Sequence, residues 1–167
     1  MLRLAEIEAG SARSRFLPVD VAQLVEKVAD AYRPDVEALR GTLTTTSAAP
    51  LTVMGDPDLL AQALANLIEN AMIHSGEAPV IGVSTDGARG GSIVVFDNGP
   101  GIPDALRDSV LAPFARLDAS RTTPGSGLGL TIAAAVCRLH GAAIRLEDGA
   151  PGLRVVMDWR EAMSPIA

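Results

Sequence analysis

Leu60, Leu64, Leu67 and Ala71 repeat at i, i+4, i+7 and i+11, which lays one apolar stripe along a helix. Asp56 as N-cap and Pro57 in the first turn mark where that helix starts. An earlier helix opens at Asp20, with Gln23 as a capping-box partner and Val19 and Leu24 placed to staple it. It is expected to run to about Arg40, to stop at Gly41 and to kink or split at Pro34. Leu2, Leu4 and Ile7 share a helical face ending at Gly10, and the polar residues 11–15 that follow read as a linker. A helix over 128–140 ends at Gly141, and a shorter one fits 104–111.

Strand patterns fall at 43–46 and 51–54, then at 80–85 and 92–97 as a hairpin around a Gly-rich turn, and finally at 143–148 and 153–159. Between Pro100 and Ser126 there is little periodicity, and so long an irregular stretch usually carries function. Helices and strands mix without strict βαβ alternation. The expected fold is therefore α/β, a two-layer sandwich of sheet against helices.

Composition narrows the picture. The 167 residues suffice for one domain with a real core, and that core is aliphatic, since 48% of residues are hydrophobic but only 3% aromatic. Twenty acidic against fourteen basic residues give a net charge of -6, which argues against a nucleic-acid surface. A bound polyanion then has to be held by backbone amides and a metal ion. The single cysteine, Cys137, excludes an internal disulfide and a cysteine zinc cluster. No apolar run approaches ~20 residues and the start lacks a signal-peptide core, so a soluble, cytoplasmic chain without membrane contact is expected.

Three elements carry candidate chemistry. Asn66, Asn70 and His74 stand four apart on one stripe of the helix that starts at Asp56. Asn is a poor helix former, and a carboxamide oxygen suits magnesium; a solvated face is the other reading, and the residues alone leave both open. Asp97-Asn98-Gly99-Pro100-Gly101-Ile102 follows a strand, where a carboxylate could accept from an exocyclic amine and glycines could admit a flat ring. Without context that sequence is a tight turn. Gly125-Ser126-Gly127-Leu128-Gly129-Leu130 opens a helix and could present backbone N–H groups to an anion. It is not a P-loop, because no Lys-Ser/Thr follows.

The order of these elements within ~65 residues resembles the catalytic domain of sensor histidine kinases, in the ATPase superfamily shared with gyrase-type topoisomerases. Residues 66–75 look like the N box, 97–102 the first glycine box, 113–118 the F box and 125–130 the second glycine box. The resemblance implies a mixed β-sheet packed on three helices, with a long ATP lid over about 103–126. It implies ATP and Mg²⁺ as ligands. Asn70 would coordinate magnesium, Asn66 would lie near the phosphates and His74 beside the nucleotide. Asp97 would accept the adenine amino proton, with Gly99, Gly101 and Ile102 around the ring. Arg116 would serve the transferring phosphate, and Phe114, Gly125, Gly127, Leu128, Gly129 and Leu130 would complete the pocket. Asn66, Asn70 and Arg116 would be the catalytic residues.

Residues 1–17 resemble the end of a dimerisation helix and its linker, 18–160 the catalytic domain and 161–167 a tail. The partners implied are the parent protein's own dimerisation and phosphoacceptor helices and a response regulator, with this chain itself monomeric. An acceptor His with an acidic neighbour is absent, since only His74 and His140 occur. Two positions depart from the pattern: Ile73 stands where the N box usually has Lys or Arg, and Ala112 where the F box usually begins with an acid. Two rival readings remain: a hydrolytic ATPase of the same superfamily, and a degenerate nucleotide-binding or interaction domain.

Overall fold

A computed structural model describes residues 15–112 and 129–159. Among them, in chain order, are β1 (Leu17–Asp20), α1 (Val21–Ala38), β2 (Thr42–Ser47), β3 (Thr52–Gly55), α2 (Pro57–His74), β4 (Val80–Asp86), β5 (Ser92–Phe96), α3 (Asp104–Leu111), α4 (Gly129–Leu139), β6 (Ala143–Asp148) and β7 (Leu153–Asp158). Five strands form one mixed sheet in the order β2-β4-β5-β7-β6. Only the β2–β4 pair is parallel. β1 and β3 make a separate antiparallel ribbon.

Period-2 burial on the strands builds one side of the core. Ile81 and Val83 on β4, Ile93 and Val95 on β5, and Val155 and Met157 on β7 are all buried. The expected α2 stripe meets them: Leu60, Leu64, Leu67 and Ala71 are buried, joined by Ala63 and Ile68. Helices α1, α2 and α4 thus cover one face of the sheet, the two-layer sandwich expected from the pattern and the mixed sheet on three helices that the resemblance implies.

Three local expectations change. Residues 17–20 are a strand paired with β3, not merely the approach to a helix cap, although Asp20 does accept from the Gln23 N–H. Helix α1 runs unbroken through Pro34. Pro34 and Asp30 are both exposed, so water can satisfy the carbonyl that loses its partner. At the end of α1 the left-handed residue is Arg40, not Gly41. Gly41 is needed for a different reason, because a Cβ there would lie 2.3 Å from the Pro79 carbonyl oxygen.

His140, just past the end of α4, ties the layers together. Its Nδ1 meets the Val136 carbonyl at 2.7 Å, and its Nε2 accepts the Asp56 N–H at 3.0 Å. Those bonds fix the neutral tautomer with the proton on Nδ1. Burial holds its pKa below the ordinary 6.5, against the pull of the Val136 carbonyl and the Asp56 carboxylate toward the charged form.

The unfolded chain therefore binds a proton on His140 as pH falls through about 6.5, while the folded chain resists. Stability from this group is complete above that pH and declines below it, by at most ~1.4 kcal/mol per unit, until the folded ring also protonates. Urea midpoints measured at about pH 7.5 and about pH 5 should fall more in the native chain than in His140→Gln, whose remaining titrating groups are the same. Equal declines would show that His140 titrates alike in both states.

Candidate functional site

Asp56 starts α2 by accepting the Asp58 and Leu59 N–H groups on Oδ1. The apolar face of the helix is then committed to the sheet, which fixes where the polar stripe points. Asn66 and Asn70 are half-buried and His74, the last helical residue, is exposed. The Asn66 Nδ2 is buried with no hydrogen-bond partner among the described residues. Leaving such a donor unpaired costs about 1–3 kcal/mol, which marks it as a place where a ligand acceptor would be welcome. Ile73 is 42% exposed, so its side chain is not committed to the core.

Strand β5 delivers Asp97, which is only 7% exposed. Its N–H donates to the Leu153 carbonyl at 3.1 Å. Its Oδ1 accepts from the Gly99 N–H at 2.8 Å and the Leu153 N–H at 3.3 Å. No bond falls on Oδ2 among the described residues, which leaves that oxygen as the acceptor for a ligand donor. Asn98 turns the other way and caps the start of β4 by accepting the Val80 N–H at 2.9 Å.

Close backbone approach explains the glycines. A Cβ at Gly99 would lie 2.9 Å from the His74 carbonyl oxygen, so the loop abuts the end of α2. Gly101 has φ +71 and a Cβ there would come within 2.8 Å of the Gly152 carbonyl oxygen. Ile102 is partly buried against the core and its carbonyl accepts from Arg107 Nε at 3.0 Å.

At the other end, Gly129 begins α4 against α2: its Cβ position is 3.4 Å from the Asn66 carbonyl oxygen. Leu130, 9% exposed, enters the core rather than the crevice. Phe114, Arg116, Gly125, Gly127 and Leu128 lie outside the described residues. One helix therefore touches both glycine-rich segments, near His74 at one end and near Asn66 about 12 Å back at 1.5 Å per residue.

Sequence reasoning passed over Gly152 and Leu153. Gly152 closes the β6–β7 turn, and Leu153, which opens β7 56 positions from Asp97, supplies one of the two N–H groups on its carboxylate. The local signal, Gly149-Ala150-Pro151-Gly152 between two strands, says only that the chain turns.

Residues 55–162 match the family model described as histidine kinase-, DNA gyrase B-, and HSP90-like ATPase. The chain belongs to this ATPase family. Among its relatives are the signal transduction histidine-protein kinase/phosphatase MprB of Mycobacterium sp. (strain KMS), 46% identical over 103 residues, covering 60% of this chain and 20% of that protein. The probable sensor histidine kinase TcrY of Mycobacterium tuberculosis is 35% identical over 158 residues, covering 91% of this chain and 32% of that protein. The chain thus spans a third or less of the length of these relatives. A solved mycobacterial sensor histidine kinase MprB superposes with a TM-score of 0.74 at 30% identity, covering 85% of this chain and 95% of that one.

Within this ATPase domain, Gly152 is the most constrained of the site's glycines. Its φ is +96, and an added Cβ would fall 1.7 Å from the Asp97 carbonyl oxygen. Gly141 has a comparable φ of +67 but open space around it. Gly141→Ala should cost only the left-handed backbone penalty, ~1–2 kcal/mol. Gly152→Ala should cost at least ~1 kcal/mol more in chemical denaturation, because Asp97 or the hairpin must move. Equal losses would mean that the β6–β7 turn yields freely and does not hold Asp97.

Proposed function

We propose that this chain is the catalytic domain of a two-component sensor histidine kinase, binding ATP with Mg²⁺ and passing the γ-phosphoryl group to a histidine outside the chain. The observation that carries the reading is helix α2 touching both glycine segments, with an unpaired buried amide beside Gly129 at its middle and a hydrogen-bonded carboxylate in the loop against its C-terminal end. The mycobacterial histidine-kinase relatives support it.

In this reading Asp97 Oδ2 accepts from the adenine amino group, while Gly99, Gly101 and Ile102 line the ring and His74 flanks it. Asn66 Nδ2 donates to a phosphate oxygen, and the α4 start around Gly129 and Leu130 adds its positive helix end. Gly125, Gly127 and Leu128 would extend that cradle, with Phe114 and Arg116 acting from the lid over about 103–126. Among the described residues no cluster of three His, Cys, Asp or Glu could hold a metal. Magnesium would therefore rely on the Asn70 amide oxygen and on phosphate oxygens. Held there, the ion would supply positive charge to offset the charge on the group in transfer.

We assign residues 1–17 to the end of a dimerisation helix and its linker, 18–160 to the catalytic domain and 161–167 to a tail. The partners are then the parent's dimerisation and phosphoacceptor helices and a response regulator, this chain being monomeric. Among the described residues no helix is long and apolar enough to cross a membrane, and we place the domain in the cytoplasm.

Hydrolysis is the less favoured reading. Asn66 stands where hydrolytic members would carry a water-activating Glu. Glu69 does not replace it, because its Oε1 accepts the Tyr32 hydroxyl of α1, which directs it away from Gly129. Burial and that carboxylate push the Tyr32 hydroxyl up to about 12, so it stays a donor.

Saturating Mg²⁺ and a non-hydrolysable ATP analogue should raise the thermal midpoint, since ligand at 100 times Kd adds ~2.7 kcal/mol. Asp97→Asn should weaken that binding about 10–100-fold, through loss of a charge-assisted acceptor. Unchanged affinity in calorimetry would reduce Asp97 to a turn residue.

The chain alone should form no acid-labile, base-stable phosphohistidine, and an added acceptor hairpin should restore transfer. His140 has both ring nitrogens bonded and is 7% exposed, so it cannot approach a phosphorus atom at the ~3–3.5 Å that transfer needs. His74 is exposed but lies beside the adenine loop, away from Asn66. Stable labelling of the isolated chain, lost in His74→Ala, would overturn that assignment.

A further inference from the structure

Arg15 and Phe16 immediately precede β1, and each touches a different helix end. Arg15 Nε lies 3.4 Å from Asp56 Oδ2, at the start of α2. Phe16 stacks on the His140 ring, at the end of α4, with centroids 4.7 Å apart and planes 13° from parallel. His140 in turn holds the Asp56 N–H. Its carbonyl accepts from Trp159 Nε1 at 3.2 Å, and Gly55 leaves it room, since a Cβ there would sit 2.6 Å from His140 Cδ2. Phe16, Val136 and the step from Gly55 to Asp56 thus converge on one imidazole, while Trp159 holds the backbone of the same residue.

The two helices that leave this point meet again at the nucleotide site. Asn66 lies ten residues along α2 from Asp56, or ~15 Å, and Gly129 lies eleven residues from His140, or ~16 Å. The two spans match and Gly129 abuts Asn66. α4 is therefore held against α2 near both of its own ends, once at His140 beside the start of α2 and once mid-way along α2, where Asn66 carries its unpaired Nδ2.

We propose that His140 is a positioning residue for the nucleotide site, and that Arg15 and Phe16 set it, so that the segment preceding β1 controls how α2 lies against α4 and hence how tightly nucleotide binds. This rests on the nucleotide-binding reading above. Asp56 Oδ2 is buried without a hydrogen bond, so Arg15 is its electrostatic compensation among the described residues. Pulling residues 15–16 away exposes the His140 ring and strands that oxygen. Both effects act on the joint that aligns Asn66 with Gly129.

The test measures affinity of the full chain for a fluorescent ATP analogue with Mg²⁺, at a temperature where circular dichroism shows every variant folded. Arg15 is 65% exposed, so Arg15→Gln leaves the core intact. Arg15→Gln and Phe16→Ala should each weaken binding about fivefold or more, the lower range of a typical coupling, while Arg15→Lys and Phe16→Tyr restore it. Reciprocally, nucleotide should slow hydrogen exchange at the Asp56 amide. Lowered melting temperatures with unchanged Kd would make these contacts merely structural and overturn the proposal. A native chain that binds no nucleotide would overturn the function reading and this inference together, whereas native binding with indifferent variants overturns the inference alone.

Discussion

A carboxylate buried at the end of a central strand has to be hydrogen-bonded, and Asp97 meets that demand with backbone alone. Oδ1 takes N–H groups from Gly99 and Leu153, which come from its own loop and from the distant β6–β7 turn. Both approaches need bare backbone. That need accounts for glycine at 99 and 152, where a side chain would strike Asp97 itself, and at 101, where it would strike Gly152. The register of β5 against β7 belongs to the same arrangement, since Phe96 pairs with Arg154 and the next step closes Asp97 on Leu153. With one oxygen fully occupied the carboxylate is fixed in direction, and the second oxygen is left to recognise something else.

Helix α2 faces an opposite situation. Its apolar side is satisfied by the sheet, while Asn66 keeps a buried donor without an acceptor. A chain selected only for stability would place Ala or Leu there, which favour helix and leave nothing unpaired. Carrying the amide trades about 1–3 kcal/mol of folding stability for a site that improves when an acceptor arrives. The compensation lies at the two ends of α2, in the Asp56 cap and the His140 bond at one and the seated Gly99 loop at the other.

What was legible in the sequence followed periodicity and local chemistry. The Leu60–Ala71 stripe, the Asp56 cap and the 80–85/92–97 hairpin are each decided by residues within one or two turns of one another, and they stand as read. The three chemical motifs could be ordered along the chain, but their meeting could not be seen. His74 against Gly99 and Asn66 against Gly129 are products of packing between elements. The same reason hid Gly152, which acts 55 positions from Asp97, and β1, whose partner is β3 across the whole of α1. His140 is legible only as the last residue of the helix predicted over 128–140; its partner, the Asp56 N–H, lies 84 positions away. Pro34 erred in the other direction, since its helix-breaking tendency is real but is weak where the freed carbonyl faces water.

The electrostatics of the site complete the reading. A chain of net charge -6 that binds a nucleotide polyphosphate cannot rely on long-range attraction. In the proposed nucleotide reading the described groups assigned to the phosphates are neutral: the Asn66 and Asn70 amides and the backbone at the start of α4. At the position where a cation would be expected stands Ile73, exposed and without a charge to offer. Oriented dipoles in a half-buried crevice can do this work because they are already aligned and lose little on binding, whereas a flexible lysine must be ordered first. They also discriminate by position. In that reading a phosphate gains only if it reaches Asn66 and the α4 end together. An acidic protein can therefore hold one anionic ligand tightly and still reject nucleic acid, which shares the phosphate but not the fit.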